Sequence, residues 1–393
     1  MYYRRTTLIA VLVILAITLS VFSIKNKEQP ITTQSTQNDA KFLGVWINYI
    51  EFADMINDKN EEQYQEHISG VLKSIKDMGF NTVVLHIRSH CDAFYRSNIF
   101  PYSSLLKSVP TFDPLEILLE IAHEFNLSVH GWINPYRVAK GGTKITDLND
   151  TNPSQRLYDE GCVSVLDSGI YFIPSETKSQ KLIIDGVREV IENYPLDGIH
   201  FDDYFYPTTD ENFDKTNYEN YKKLAGENAK SLGDFRRQSV NNLIFGVYQA
   251  VKSQGRNILL GVSPSADIEK NYSTLYADVS HWINGGYVDY ICPQLYFGFE
   301  YPKEKFRFQN LLNGWEKLCN NKVNTVIGLA AYKSGEMDAE SDEWIKNNDI
   351  LSRQAKLVLG NENFSGICVY NYSTLISAKE EQEKLSKIIG RTP

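Results

Sequence analysis

The stretch DGIHFDDYFYP, residues 197–207, decides the fold prediction. It opens with an Asp-Gly turn pair, continues as a short extended segment, and ends with two adjacent aspartates followed by aromatic residues. Side chains alternate between the two faces of a strand, so we expect His200 and Asp202 on one face and Phe201 and Asp203 on the other. In a closed parallel barrel, the last inward residue of a strand lies at the C-terminal mouth, where such barrels carry their chemistry. The stretch therefore predicts an inward-facing functional carboxylate at Asp202.

Short apolar strands alternate with amphipathic helices on both sides of this stretch. This alternation predicts a parallel sheet covered by helices. A doubly wound sheet seldom has eight units, and no G-x-G-x-x-G follows the first strand, so nucleotide binding is disfavoured. We predict a (β/α)8 TIM barrel with long βα loops, with strands at residues 43–49, 81–88, 127–133, 197–203, 257–264, 289–297, 323–332 and 366–372 and helices near residues 68–78, 118–125, 178–194, 240–247, 276–283, 306–319, 350–359 and 378–389.

Two polar insertions interrupt the alternation. Residues 135–175 are rich in Gly, Asp, Asn and Pro, and residues 208–233 are also polar. The first is too long for a plain connection between a strand and a helix, and long loops of this kind are usually functional. We therefore expect it to form a functional loop on the mouth of the barrel.

Composition restricts the class of protein. The 393 residues are 42% hydrophobic and 23% charged, with a net charge of -9, which argues against nucleic acid as a partner. A TIM barrel commonly takes about 250 residues or more as one unit, so residues 42–393 are predicted to form one domain. The five cysteines are scattered and include no C-x-x-C pair, which favours buried thiols over a disulfide framework or a thiolate zinc site; one long-range disulfide remains an alternative.

The N-terminus is predicted to be a separate segment. Arg4 and Arg5 precede an apolar run that ends near residue 24, and residues 25–41 are a polar linker. Positive charge before an apolar run of nearly spanning length predicts export, with residues 1–24 as a cleaved signal peptide or a membrane anchor. We therefore expect an extracytoplasmic protein that is secreted or is attached to the membrane through this segment.

Polar and aromatic residues gather where the predicted strands end. Counting by two along each strand places such residues at the mouth of the barrel, and a purely structural barrel has no need of so many hydrogen-bonding groups on one rim. The residues selected by this count are Asn48, His86, Arg88, His130, Trp132, Asn134, His200, Asp202, Ser263, Gln294, Tyr296 and Tyr332.

Several of these residues also have a structural interpretation. On this interpretation, the strand histidines serve only to satisfy hydrogen bonds inside the barrel. Arg88 is a candidate ion-pair partner that keeps Asp202 ionised, and Asp203 is a candidate cap of a neighbouring helix. His86 and His90 form an H-x-x-x-H without helical register, so we expect no metal site, and no cofactor is indicated.

Six blocks of the sequence resemble the glycosyl hydrolase-like 10 family, formerly a domain of unknown function, which is related to bacterial envelope glycosidases that act on peptidoglycan. The most specific are D-G-x-x-x-D-D-Y-x-Y-P and W-x-N-P-Y-R, and His90-Cys91 departs from the expected pattern. The resemblance spans most of residues 43–372 and implies a TIM barrel that hydrolyses glycans. The blocks lie at residues 44–52, 86–106, 130–138, 197–207, 261–266 and 290–297.

The resemblance also suggests roles for individual residues. Glycoside cleavage uses one carboxylic acid and one carboxylate. GIHFDD looks like the fourth-strand motif of amylase-like barrels, which implies that Asp202 is the nucleophile, with Asp203 beside it. The acid is predicted to be Glu51, with Glu300 and Glu336 as alternatives, because GVSPSA offers no glutamate. The predicted substrate-binding residues are Asn48, Arg88, Asp92, Trp132, Asn134, Arg137, His200, Tyr206, Gln294 and Tyr296.

These residues support one leading hypothesis and two alternatives. The leading hypothesis is a glycosidase that acts on a cell-envelope polysaccharide, with peptidoglycan glycan strands as the expected substrate. One alternative is a glycan-binding protein without an effective acid, since the fifth strand carries no glutamate. The other is a metal-dependent deacetylase or amidase, which would be sensitive to a chelator.

Overall fold

The computed structural model describes residues 40–390 and contains a closed barrel of eight parallel strands. The first barrel strand pairs with both the second and the last, which closes the cylinder and confirms the predicted TIM barrel. The strands of the described region are β1 (Phe42–Ile47), β2 (Thr82–Arg88), β3 (Ser128–Ile133), β4 (Arg137–Lys140), β5 (Val163–Leu166), β6 (Gly169–Phe172), β7 (Gly198–Phe201), β8 (Leu259–Val262), β9 (Tyr290–Ile291), β10 (Asn324–Ala330) and β11 (Gly366–Tyr370).

Helices follow the barrel strands, as predicted. Some helices are longer than expected. The helices also outnumber the predicted eight, because additional short helices form within the loops. The α-helices are α1 (Tyr49–Ile56), α2 (Glu61–Asp77), α3 (Pro114–Glu124), α4 (Pro153–Asp159), α5 (Thr177–Asn193), α6 (Lys215–Ala225), α7 (Leu232–Lys252), α8 (Ile268–Ser273), α9 (Val279–Gly285), α10 (Phe308–Cys319), α11 (Glu343–Lys346), α12 (Ile350–Leu359), α13 (Tyr372–Ser377) and α14 (Lys379–Ile389).

Helix α2 illustrates how local sequence sets these elements. Asn60 and Gln63 form a reciprocal capping box that satisfies free backbone N–H groups at its start. Gly79 follows its end with φ +95°, a conformation that costs little only for glycine. The predicted apolar face packs inward against the strands, and it consists of Ile68, Val71, Leu72, Ile75 and Met78.

The interior of the barrel is separate from the layer between the strands and the helices. It holds an aromatic and sulfur-rich cluster, together with three buried histidines of β2, β3 and β7. All five cysteines are free and buried, which confirms the prediction of buried thiols. The interior cluster consists of Trp46, Val84, Trp132, Tyr290, Cys292, Val326 and Cys368.

The first insertion folds into a small sheet of its own. Strands β4, β6 and β5 pair antiparallel in that order, with α4 between β4 and β5. The insertion leaves β3 at its C-terminal end, which places it on the mouth side of the barrel, as expected. The second insertion contains α6 and packs around a buried ion pair between Asp214 and Arg236.

The predicted N-terminal segment, residues 1–24, lies outside the described residues, as does nearly all of the predicted linker. Between residues 40 and 390, every helix is too short or too polar to cross a bilayer.

Candidate active site

Two adjacent aspartates lie where β7 ends at the mouth of the barrel. Asp202 is only 2% exposed, and its Oδ2 accepts a hydrogen bond from Trp132 Nε1 at 2.9 Å. Its Oδ1 accepts from the backbone N–H of Tyr204 at 3.2 Å. Asp203 is half-buried and accepts from Gln294 Nε2 at 3.3 Å. Both carboxyl groups are therefore oriented by donors, from β3 and their own loop for Asp202 and from the segment after β9 for Asp203.

Burial changes the protonation of this pair. Burial, followed by the negative charge of Asp203, raises the pKa of Asp202 well above its usual range, against the opposing effects of Trp132, Tyr204 and Arg137. Burial also raises the pKa of Asp203, although Lys270 and Gln294 oppose the change. Two close carboxylates in a dry environment do not both ionise easily, so they titrate as a pair. The pair holds a proton at higher pH than isolated aspartates do.

Tyrosine rings lie at the mouth, and Tyr204 is the one that directly follows the aspartates. Tyr296 stacks on Tyr370 with ring centroids 5.9 Å apart, and Tyr332 contacts both rings edge-on. Tyr204 and Tyr332 are 49% and 41% exposed, so their rings are open to a ligand. Rings with a polar tip suit sugar faces, which offer both C–H groups and hydroxyls. We call Tyr49, Tyr204, Tyr296, Tyr332 and Tyr370 the mouth tyrosines.

The sequence prediction selected only one of the mouth tyrosines, Tyr296, as a substrate-binding residue. Tyr370 was detectable, because counting by two from the inward Cys368 along the last strand reaches it. Tyr204 lies in the recognised D-D-Y block beside the aspartates, and Tyr49 is the first residue of α1. Residues beyond a strand end do not follow the strand period, so counting does not find these two.

Trp132 is a positioning residue for Asp202. Its ring stacks on the His86 ring with centroids 3.6 Å apart and planes 12° apart, and the side chain is 7% exposed. Burial lowers the pKa of His86 well below its usual value, so this histidine is neutral. With one face covered and little surface exposed, Trp132 holds the carboxylate and offers little surface for stacking on a sugar.

Other predicted substrate-binding residues also reach the mouth. Asn134 is buried and donates from Nδ2 to the Ser89 carbonyl oxygen at 3.1 Å. The Arg137 guanidinium lies over the Tyr204 ring, 5.4 Å from its centroid. Gln294 contacts Asp203 and also donates to the carbonyl oxygen of Ser263 at 3.0 Å. The structure thus places Arg137 and Gln294 with the aspartate pair, whereas Asn134 is held by the backbone after β2.

Arg88 lies outside the barrel, contrary to prediction. A bulge in β2 shifts the register, so that His86 pairs with Trp132 but Arg88 pairs with the outward-facing Ile133. The Arg88 guanidinium lies 4.4 Å from the centroid of Phe100. It also contacts Gly186 of α5, where a Cβ atom would collide with it. Arg88 therefore joins strand and helix layers, and it neither faces the ligand nor pairs with Asp202.

Asp92 has a structural environment within the loop that follows β2. It is 9% exposed and interacts with Ser103, with the backbone N–H of Ser104 and with the backbone of His90. Burial raises its pKa to about 6, against these interactions and the charge of Arg88. Its carboxyl group stabilises the loop, and the predicted contact with substrate is not supported.

Tyr206 is buried beneath the second insertion, contrary to its predicted contact with a sugar. It is 2% exposed, and its hydroxyl donates to Asp214 Oδ2 at 3.1 Å. The Arg236 guanidinium lies 5.3 Å from its ring centroid, and the Tyr276 ring packs edge-on against it. Tyr206 belongs to the polar core of this insertion.

His200 belongs to a buried chain of hydrogen bonds inside the barrel, below the mouth. Trp46 Nε1, which is a donor only, lies 3.4 Å from His200 Nε2, so Nε2 accepts. His200 Nδ1 then donates to the Tyr290 hydroxyl at 2.8 Å, and that hydroxyl donates to His130 Nδ1 at 2.8 Å. Burial lowers the pKa of both histidines, to about 4 for His130, so both are neutral. The structural interpretation of these two histidines fits this geometry, and the predicted substrate contact of His200 does not.

Tyr290→Phe is expected to lower the free energy of unfolding by about 1–3 kcal/mol, because it leaves a buried donor and a buried acceptor without partners. Urea unfolding followed by tryptophan fluorescence measures the change. Tyr332→Phe is the matched control, since that ring is exposed at the mouth, and its expected effect is within about 0.5 kcal/mol. Equal effects of the two substitutions would contradict the network.

Asn48 and Glu51 form the capping box of α1. Asn48 Oδ1 accepts from the backbone N–H groups of Ile50 and Glu51 at 2.9 and 3.1 Å. Glu51 Oε2 accepts from the Asn48 N–H at 2.7 Å, and Oε1 accepts from the Ser373 N–H at 2.6 Å. Both oxygens of Glu51 are thus occupied by backbone N–H donors. This geometry gives both residues a structural role at the rim.

The two alternative acids are exposed. Glu300 and Glu336 both lie on the surface, in the loops that follow β9 and β10. Both are therefore open to solvent, unlike the buried Asp202. Neither glutamate matches the aspartate pair as an acid.

No group of three or more His, Cys, Asp or Glu residues within residues 40–390 is arranged to hold a metal ion. A groove of about 810 Å³ lies elsewhere, against α1 and α2, with a charged lining that includes Asp54, Lys59, Glu66 and Lys107. Its lysines bond to residues of the same groove, Lys107 to Asp58 and Lys59 to the Asp54 carbonyl oxygen. The concentration of oriented carboxyl groups and rings is at the mouth.

Curated relatives cover most of the chain. It is 32% identical over 359 residues to glycosyl hydrolase YngK of Bacillus subtilis, covering 84% of this chain and 69% of that protein. It is 29% identical over 391 residues to glycosyl hydrolase DigH of Escherichia coli K12, covering 90% of this chain and 87% of that protein. The matches thus extend across the barrel and its insertions.

Solved structures share the fold at low sequence identity. The glycoside hydrolase domain of PgaB from Bordetella bronchiseptica superposes with a TM-score of 0.61 at 13% identity, covering 89% of this chain and 99% of that domain. An alpha-L-fucosidase from Paenibacillus thiaminolyticus gives a TM-score of 0.58 at 13% identity, covering 89% and 49%. These likenesses confirm the TIM barrel. The model of the family described as glycosyl hydrolase-like 10 matches residues 41–346, and the chain belongs to that family.

Proposed function

We propose that this protein hydrolyses glycosidic bonds in a cell-envelope polysaccharide, with peptidoglycan glycan strands as the substrate. The observation that carries the proposal is the pair of oriented carboxyl groups, Asp202 and Asp203, at the mouth of the barrel. The mouth tyrosines provide rings on which sugars stack, and membership of a glycosyl hydrolase-like family agrees with this chemistry.

The two aspartates divide the roles of acid and carboxylate. Asp202 is the more deeply buried, and its raised pKa favours the protonated form, so we give it the acid's role in place of the nucleophile's. Its proton passes to the glycosidic oxygen as the bond from that oxygen to the anomeric carbon breaks. Asp203, which is more exposed, supplies the carboxylate that stabilises the positive charge on that carbon. A water molecule then adds to the carbon and gives its proton to a carboxylate of the pair.

Export of the protein is part of the proposal. The charged and apolar residues 1–24 are typical of a signal peptide or an anchor, and the polar residues 25–41 link them to the barrel. A barrel outside the cytoplasm has access to envelope polysaccharides. Fractionation of cells that produce the full chain tests this location.

Release of reducing ends from purified, peptide-free glycan strands is the direct test of the function. Saccharide products in mass spectrometry, at rates unchanged by a chelator, would support the proposal. Deacetylated or peptide products would contradict it. Binding to the strands without turnover at any pH would instead favour a glycan-binding protein, an alternative motivated by the occupied oxygens of Glu51.

Trp132→Phe is expected to shift the pH dependence of the reaction. The Trp132 N–H stabilises the ionised form of Asp202 and so lowers its pKa; without it, that pKa rises further. The limb of the pH–rate profile controlled by Asp202 should move to higher pH by about one unit, and kcat/KM should fall about tenfold. Phenylalanine retains a ring for stacking on His86. An unshifted profile would contradict the positioning role.

A further inference from the structure

Gly70 lies in the middle of α2, a helix of 17 residues, where alanine would be the more stable residue. Its φ is not in the left-handed region that favours glycine. A Cβ atom at this position would meet no side chain within 4 Å in the part of the chain that the structure describes. Neither backbone conformation nor packing therefore requires a glycine here.

Gly70 instead lines the groove against α1 and α2. The volume of this groove, about 810 Å³, is within the range of ligand sites, about 300–1,000 Å³. Gln63, His67 and Gly70 lie on successive turns of one face of α2, which follows the groove for about 10 Å. Without a Cβ atom at Gly70, a ligand can approach the helix backbone closely. The groove therefore has room for about three residues of an extended chain.

The groove contains two carboxylates without counter-ions. Asp58 pairs with Lys107, and the Lys59 ammonium donates to two backbone carbonyl oxygens near the end of α1, at 3.1 and 3.2 Å. The carboxylates of Asp54, on α1, and Glu66, on α2, form no ion pair with any Lys, Arg or His between residues 40 and 390. Each helix thus contributes one uncompensated negative charge to the groove.

The lining favours a peptide over a sugar. Tyr372, the tyrosine that lines the groove, is 7% exposed, so it offers little ring surface on which a sugar could stack. Burial, and then the charge of Lys59, lower the pKa of His67, so this ring is neutral at neutral pH. Gln63 and His67 are therefore neutral hydrogen-bonding groups of the kind that bind a peptide backbone.

We propose that this groove binds a short, extended peptide that carries a primary amine. The ammonium group lies between Asp54 and Glu66, and the peptide backbone runs along α2 over Gly70. An ammonium group has three N–H donors and forms charge-assisted hydrogen bonds with carboxylates. The inference goes beyond the proposed hydrolysis, since the groove is lined by residues other than the aspartate pair and the mouth tyrosines.

Binding of a defined peptide tests the inference without turnover. The probe is a capped alanine–lysine–alanine tripeptide, and the same tripeptide with an acetylated lysine lacks the ammonium group. Ligand-observed NMR titration of the full chain measures both affinities. We expect the charged peptide to bind about tenfold more tightly, and Asp54→Asn combined with Glu66→Gln to abolish the difference. Glu120→Gln combined with Glu124→Gln, two exposed charges of α3, is the matched control and should leave the difference unchanged.

Gly70→Leu tests the role of the glycine. Leucine is the better helix former, so the equilibrium constant of unfolding should fall about two- to fivefold. The added side chain occupies the groove, so the affinity for the charged peptide should fall about tenfold or more. Unchanged binding or lower stability of the Gly70→Leu protein would overturn the inference, as would equal affinities for the two peptides. Tighter binding of a glucosamine oligomer than of the charged peptide would also overturn it, since the groove would then be a sugar site.

Discussion

Asp202→Asn is expected to reduce kcat by about 10²- to 10⁴-fold while leaving the fold intact. Asparagine has the same shape as aspartate and still offers an oxygen to the Trp132 N–H, but it cannot deliver a proton to a leaving oxygen. Release of reducing ends from peptide-free glycan strands measures the activity. Circular dichroism and thermal unfolding of the same samples establish that the barrel is unchanged.

Asp159→Asn provides the matched control, because it makes the same change of charge on an exposed residue of the first insertion. It should retain full activity. Near-wild-type turnover of the Asp202→Asn protein would show that Asp202 takes no part in the reaction. It would contradict the assignment of the active site.

Asp214→Ala is expected to lower the free energy of unfolding by about 3–5 kcal/mol, the largest stability effect we anticipate. Asp214 and Arg236 are fully buried, and the Arg236 Nη2 to Asp214 Oδ1 distance is 2.5 Å. The substitution leaves a buried guanidinium without its counter-ion, and it also removes the acceptor of the Tyr206 hydroxyl. Urea unfolding measures the change.

Two further variants separate burial from charge. Asp77→Ala breaks the ion pair with Lys73, whose two side chains are 63% and 61% exposed, and its expected effect is within about 0.5 kcal/mol. Asp214→Ala combined with Arg236→Met removes both buried charges and should be less destabilised than Asp214→Ala alone. A double variant that is more unstable than the single one would show that the loss comes from packing, with no part played by the unpaired charge.

The barrel was predictable because its strands and helices carry distinct periods. Apolar runs such as residues 81–88 and 323–332 recur with helical segments between them, and helix starts are marked by caps such as Asp113 before Pro114. Such signals are local, so a single sequence reveals them. The small antiparallel sheet of the first insertion was not predicted, since its four-residue strands are too short to show a period.

The site was predictable only where the strand period held. The period held at Trp132 on β3 and at Asp202 directly after β7, and the structure brings both residues to the mouth. It failed at Arg88, where a bulge that the sequence does not mark adds one residue and turns the side chain outward. It failed again at Tyr206, which lies five residues beyond the end of β7, where tertiary packing decides direction. Glu51 was predicted to be the acid, and the structure instead places it in a capping box with Asn48 at the start of α1.

The first insertion is structurally separate from the wall of the barrel. Its three strands pair only with one another, so none of the hydrogen bonds that close the cylinder depends on them. Arg137 nevertheless extends from this sheet to the aspartates. Substitutions in residues 139–175 therefore alter the surroundings of the mouth without breaking a hydrogen bond of the barrel wall, whereas Arg137 belongs to the W-x-N-P-Y-R block.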